Sequence, residues 1–190
     1  MSTRIIFLRH AETKKDPNIH AAEWMLSEEG ERQASRVSEI PIMNEADFLY
    51  SSNEKKAFLT VEPLAKKLTK TIQQFSFFDE VVRGEKFLTK EEFEQEKSRQ
   101  LQDLDYKAFN GESGNDALVR FKEGVKKISG ENPGRTSLIV SHGTILNIYF
   151  ADLLSMQELL PERWNKTKFC AYGVVSDGKV LKDIITESEE

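Results

Sequence analysis

Short apolar runs alternating with longer amphipathic stretches set the pattern of this chain. Ile5-Ile6-Phe7-Leu8 and Leu138-Ile139-Val140 are continuously apolar, rich in β-branched residues and closed by polar or glycine positions. Such runs predict inner strands of a parallel-type sheet, covered on both faces. Phe48-Leu49-Tyr50 gives another short strand, ending in Ser51-Ser52, and Thr71 to Phe75 a third. Ser27 is placed to cap a helix in which Gly30 is tolerated in the first turns and Ala34 and Val37 face inward. From Glu54 to Leu68 the positions Ala57, Leu64, Ala65 and Leu68 recur at helical spacing, with Phe58 and Val61 widening the stripe. Further helices are predicted over Lys90 to Leu104, Ser113 to Ile128 and Thr144 to Leu154. Lys168 to Val175 and Lys179 to Ile184 flank Ser176-Asp177-Gly178 and read as a C-terminal hairpin. The order predicts one α/β domain over residues 1–190, a three-layer sandwich whose mostly parallel sheet is flanked by helices. Phe77 to Asn110 departs from the pattern. It is highly charged, carries Phe87, Phe93 and Phe109, and reads as a small cap or lid inserted between core elements.

Composition narrows the partners more than the fold. With 38% hydrophobic and 31% charged residues over 190 positions, the chain can bury a full core and keep a wet surface. A net charge of -5 argues against a general nucleic-acid binder, yet a few clustered cations still suffice for a small anion. The single cysteine, Cys170, rules out an intrachain disulfide and a cysteine-based zinc cage, and a packing role fits it best. The N-terminus lacks the pattern of a signal peptide. The longest uncharged stretch, Thr136 to Ala151, is short for a membrane span and contains Ser, His, Gly and Asn. Together these features predict a cytoplasmic protein with neither a nucleic-acid nor a membrane partner.

Two of the three histidines share one local setting. His10 follows the first apolar run directly, next to Arg9, and His142 follows the Leu138 run, next to Gly143. Open α/β sheets bind ligands beyond the carboxyl ends of their strands, so two imidazoles delivered there can meet in one crevice. No P-loop, dinucleotide fingerprint or nucleophile elbow is present, since Gly111-Glu112-Ser113-Gly114 has the wrong spacing. Asp103-Leu104-Asp105 lies in a charged helical stretch and reads as a solvated face.

What remains is a series of segments that resembles the histidine phosphatase superfamily, which includes the cofactor-dependent phosphoglycerate mutases. Arg9-His10-Ala11-Glu12-Thr13 is similar to that family's Arg-His-Gly-Glu-Thr opening, with Ala11 in place of the usual glycine. Leu26-Ser27-Glu28-Glu29-Gly30 with Gln33-Ala34, Tyr50-Ser51-Ser52 through Lys56-Ala57 and Thr60, Phe78-Asp79-Glu80 with Gly84, Gly111-Glu112-Ser113, and Val140-Ser141-His142-Gly143 follow in the family's order. The resemblance runs from about Ile5 to Ile148. It implies a metal-independent phosphomonoesterase that works through a phosphohistidine and needs no organic cofactor. In that reading His10 is the nucleophile, Glu80 the acid and then base, and His142 a stabiliser of charge in transfer. Arg9, Thr13, Lys56, His142 and Gly143 bind the phosphate. The chemistry suits these residue types. Phosphoryl oxygens need fixed cations and N–H donors, and a neutral imidazole whose other nitrogen is held as a donor is a competent nucleophile.

One departure bears on the pocket. Lys56 stands where most family members carry a second phosphate-binding arginine, which keeps the charge but loses the bidentate fork. The expected substrate is a small phosphomonoester or a phosphoprotein. Mutase-type phosphoryl transfer and non-catalytic binding of a phospholigand are the alternatives. A metal site of His10, His142 and Glu80 is disfavoured by the neighbouring cations Arg9 and Lys56.

Overall fold

The computed structural model describes residues 2–82, 84, 89–107 and 111–185. Strands β1 (Arg4–Arg9), β2 (Phe48–Ser51), β3 (Ile72–Gln74), β4 (Thr136–Ser141), β5 (Tyr172–Ser176) and β6 (Lys179–Lys182) form one sheet in the order β3-β2-β4-β1-β5-β6. The pairs β3–β2, β2–β4 and β4–β1 are parallel, while β5 runs antiparallel to β1 and to β6. The fold is therefore the expected α/β sandwich with a mostly parallel sheet and a C-terminal hairpin.

The apolar runs divide between two cores because side chains alternate along a strand. In β1, Ile5 and Phe7 join Tyr50 and Ile139 against α4 (Gly114–Glu131) and α5 (Gly143–Leu154), through Phe121, Ile128, Ile145 and Ile148. Ile6 and Leu8 turn to the other face, where Leu49, Leu138 and Val140 meet α1 (Glu28–Glu39) and α2 (Lys55–Leu68) through Val37, Val61 and Leu64. A strand buried on both faces has no polar alternate positions, which is why these runs read as continuous.

Helix α3 (Lys90–Gln102) lies within the charged stretch and packs on α6 (Leu160–Lys166). Phe87 and Phe109 lie outside the described residues. Helix α6, seven residues with Pro161 in its first turn, has no counterpart among the expected elements. The hairpin's first strand is shorter than its apolar pattern predicts. Cys170 has a left-handed backbone (φ 57°), so the strand opens only at Tyr172 and Lys168 to Ala171 leave the sheet.

Gly30 also has a stronger role than the sequence suggests. A Cβ built there lies 2.0 Å from the backbone oxygen of Glu12, which accepts a hydrogen bond from the Ser27 amide at 3.0 Å. The glycine lets α1 press against the loop that follows His10. Gly30→Ala should therefore lower stability by about 1–3 kcal/mol, as overpacking does, despite alanine's better helix propensity. Denaturant unfolding checks this, and an unchanged or higher midpoint contradicts it.

Candidate active site

Because β1 and β4 are adjacent and parallel, with Arg9 opposite Ser141, the next residue of each strand emerges at the same sheet edge. His10 and His142 are both buried there with ring centroids 5.1 Å apart. His10 Nδ1 lies 2.7 Å from the Ala11 carbonyl oxygen. A carbonyl only accepts, so Nδ1 carries the hydrogen, and the lone pair of the neutral ring is on Nε2. The loop is fixed from α2: the Ala11 amide donates to Thr60 Oγ1 (2.9 Å), whose hydroxyl donates to the Lys56 carbonyl (2.7 Å). Burial first, then the charges of His142, Lys56 and Arg9, hold the His10 proton affinity well below the ordinary histidine value.

Arg9 is clamped between rings. Its guanidinium carbon lies 4.5 Å from the Phe169 centroid and 5.0 Å from that of Trp164, and Nη1 donates to the Thr167 carbonyl at 2.5 Å. The shortened β5 thus has a purpose, since Thr167 and Phe169 reach the site from the segments that precede the strand. Arg9 Nε is buried without a partner among the described residues. Gly143 opens α5 under this clamp, and a Cβ there would lie 2.5 Å from the Trp164 ring and 3.0 Å from the Arg9 guanidinium carbon.

Glu80 reaches the same helix end. Its carboxylate accepts from the amides of Thr144 (3.0 Å), Ile145 (3.0 Å) and Val81 (2.9 Å), two of them at the positive N-terminus of α5. The loop that carries it hangs from Arg120 on α4. Arg120 Nη1 donates to the carbonyls of Ser76 (2.9 Å), Phe77 (2.8 Å) and Asp79 (3.2 Å), while Nε and Nη2 pair with Glu112 at 2.8 and 2.7 Å. Glu112 thereby orients this arginine. Arg120 itself carried no recognisable signal, being one more charge on an amphipathic helix. Asp79 has its proton affinity raised to about 6, chiefly by burial, with the charge of Glu54 adding to it. A cleft of about 480 Å³ lined by Ser76, Asp79, Val82, Gly111, Glu112 and Arg120 adjoins this loop and includes neither histidine.

Lys56 is buried at the head of α2 and does not lie free. Nζ donates to Glu54 Oε2 at 2.5 Å and to the Ala21 carbonyl at 2.9 Å, with the Trp24 ring 5.8 Å away. Glu54 Oε1 accepts from the Glu80 amide at 2.8 Å and lies 3.3 Å from His142 Nε2. That nitrogen is also 2.7 Å from Ser52 Oγ, whereas His142 Nδ1 is buried without a partner among the described residues. Burial opposes the Glu54 charge, but His142 and Lys56 outweigh it and hold the carboxyl at about 2.

The structure thus brings together Arg9, His10, Lys56, Glu80, His142 and Gly143. Thr13 stands apart. It is half-buried in the loop after His10, bridged by backbone to Leu26, and shares no hydrogen bond with the other six among the described residues. Sequence reasoning missed Glu54, Ser52, Trp164 and Phe169. Among the described residues no group of three or more His, Cys, Asp or Glu side chains is arranged to hold a metal, and no helix is long and apolar enough to cross a membrane.

The model of the histidine phosphatase superfamily (branch 1) matches residues 5–183. None of the curated proteins matches the sequence significantly. Similar solved structures include a mycobacterial glucosyl-3-phosphoglycerate phosphatase (TM-score 0.80, 18% identity, 98% of this chain and 100% of that one). Bacillus stearothermophilus YhfR gives TM-score 0.80 at 23% identity over 97% and 98%. A phosphoserine phosphatase variant from Entamoeba histolytica, solved with phosphoserine, gives 0.79 at 19% identity over 98% of both chains. At these identities the likeness is one of fold.

Proposed function

Because the chain belongs to the histidine phosphatase superfamily (branch 1), we propose that it hydrolyses small phosphomonoesters through a phosphohistidine on His10. One observation carries this reading. The Ala11 carbonyl fixes the His10 tautomer, so a buried neutral ring keeps its Nε2 lone pair beside a second imidazole and two cations. Nε2 attacks phosphorus as the bond to the leaving alkoxide breaks, and Glu80 supplies the proton that this oxygen takes up. Water then attacks the phosphohistidine, Glu80 removes its proton, and inorganic phosphate leaves.

The surrounding groups suit each step. Arg9, His142 and the amides at the head of α5 supply charge and donors for the phosphoryl oxygens. The buried, unpartnered Arg9 Nε and His142 Nδ1 are donors that such oxygens can satisfy. Glu80 rests as an acceptor of three amides, and a phosphate dianion arriving beside it favours its protonated form. In this reading residues 1–190 form one catalytic unit, 77–110 cap it, Thr13 donates to the phosphate, and the protein works in the cytoplasm. Glucosyl-3-phosphoglycerate and phosphoserine, for which the similarly folded phosphatases are named, define the class to test first.

Hydrolysis is favoured over mutase chemistry. A mutase must protect its phosphohistidine while the substrate reorients, which needs a closed, water-poor site. In this reading the excursion 77–110, shorter than the insertion that mutases of the family carry, leaves the site open to water. Lys56, already paired to Glu54, also grips phosphate less firmly than an arginine fork. Inorganic phosphate release should therefore exceed isomerisation of phosphoglycerate, even with a bisphosphorylated primer. Isomerisation outrunning release reverses this choice, and no turnover on any phosphomonoester favours a binding protein.

A further inference from the structure

The carboxylate of Glu54 has a position that the proposed phosphatase chemistry leaves unused. It is buried where three functional groups converge, accepting from Lys56 Nζ through one oxygen and facing the Glu80 amide and His142 Nε2 through the other. Its own amide donates to Ser52 Oγ at 3.2 Å, and the same hydroxyl lies 2.7 Å from His142 Nε2. His142 Nε2 therefore faces two oxygens, one of them a carboxylate, while Nδ1 has no partner among the described residues. Oxygen acceptors on one ring nitrogen make it the N–H side of the imidazole. A carboxylate on that side also stabilises the second proton, because the ring can then carry its positive charge against a fixed negative one.

We propose that Glu54 is a positioning residue of the phosphoryl-transfer site. It holds His142 with Nε2–H directed at Glu54 and Ser52, so that a protonated Nδ1 is presented to the phosphoryl group, and it anchors Lys56 beside that group. This inference rests on the phosphatase reading for its purpose, though the geometry of the pair can be tested without turnover. A lysine ammonium on a flexible stem has no intrinsic direction, unlike a guanidinium fork. The Ala21 carbonyl and Glu54 together give it one. The groups facing His142 are His10 and Arg9 at the end of β1, Lys56 from α2, Glu54 at its N-cap, and Glu80 from the loop that follows β3. Burial and the cations disfavour the imidazolium, and the two carboxylates oppose them.

The test is nitrogen-15 NMR of the histidine rings in full-length protein, with wild type, Glu54→Gln and Lys56→Met titrated side by side. Wild type should show His142 protonated at Nε2. Its imidazolium should become harder to form in Glu54→Gln, by about one unit or more, as loss of an opposite charge at this range predicts. Lys56→Met should move it in the opposite sense, because a repelling cation is removed. A merely structural role for the Glu54–Lys56 pair would shift both variants alike. Steady-state assays add a second readout. Glu54→Gln should lower kcat for an aryl phosphate and narrow the pH profile, and Glu54→Asp should recover part of the loss. Equal His142 titrations in wild type and Glu54→Gln would overturn the assignment, as would Nδ1 being the protonated nitrogen of the neutral ring. Absence of turnover in wild type would count against the phosphatase reading instead, and would leave the NMR result to decide the role of Glu54. Should Glu54→Gln fail to fold, Glu54→Asp titrated in the same way decides it, since a shorter carboxylate withdrawn from Nε2 must also weaken the imidazolium.

Discussion

His10→Ala should lose phosphatase turnover by on the order of 10⁵-fold or more, the scale on which nucleophile removal acts elsewhere. The expectation comes from the ring's local wiring. Nδ1 is committed to the Ala11 carbonyl, so only Nε2 can attack. His142 differs because its Nε2 already faces Ser52 and Glu54. Burial, the His142 imidazole and the cations Lys56 and Arg9 keep His10 neutral, so its nucleophilic form should persist below the ordinary histidine range of about 6.5. The acid limb of kcat/KM for an aryl phosphate should lie correspondingly low. Stopped-time assays of wild type and His10→Ala across pH check both points. A variant within tenfold of wild type would move the nucleophile elsewhere.

Glu80→Gln should separate substrates by their leaving groups. The amide keeps the shape of the side chain and can still meet the head of α5, but it cannot cycle a proton. An alkyl alkoxide needs protonation as it departs, whereas an aryl oxide leaves with little help. The loss should reach about 10²–10⁴-fold on alkyl phosphates and be clearly smaller on aryl phosphates. Equal losses on the two classes would point to another acid, with Asp79, whose proton affinity is raised to about 6, the first residue to examine.

How far the chain could be read in advance follows from the range of each signal. The strands ending at His10 and His142 were legible because burial on both faces forces a continuous apolar run, and a parallel pair then fixes a common edge. The helices other than α6 showed through their periodicity, within a few residues at each end. Other features lay outside any local pattern. Cys170 breaks a strand that its neighbours favour, because a left-handed residue is nearly invisible in sequence when it is not glycine. Gly30 looked merely tolerated, since the carbonyl it accommodates belongs to Glu12, on a different segment. Arg120 and Trp164 act on groups 40 or more, or 155, positions away along the chain, so their partners appear only once the chain is folded. Glu54 is the clearest case. From sequence it is a helix-opening carboxylate beside two lysines, and only the convergence of α2, the acid loop and β4 gives it His142 as a neighbour.

The central claim is a covalent phosphoryl group on His10. Rapid quenching of the protein during turnover of a labelled phosphodonor, followed by mapping of the modified peptide, reads it directly. An acid-labile, base-stable phosphoryl group on His10, formed and lost fast enough to account for phosphate release, is the predicted result. No label in the wild-type protein while phosphate is being released, or label that persists in His10→Ala, would contradict it.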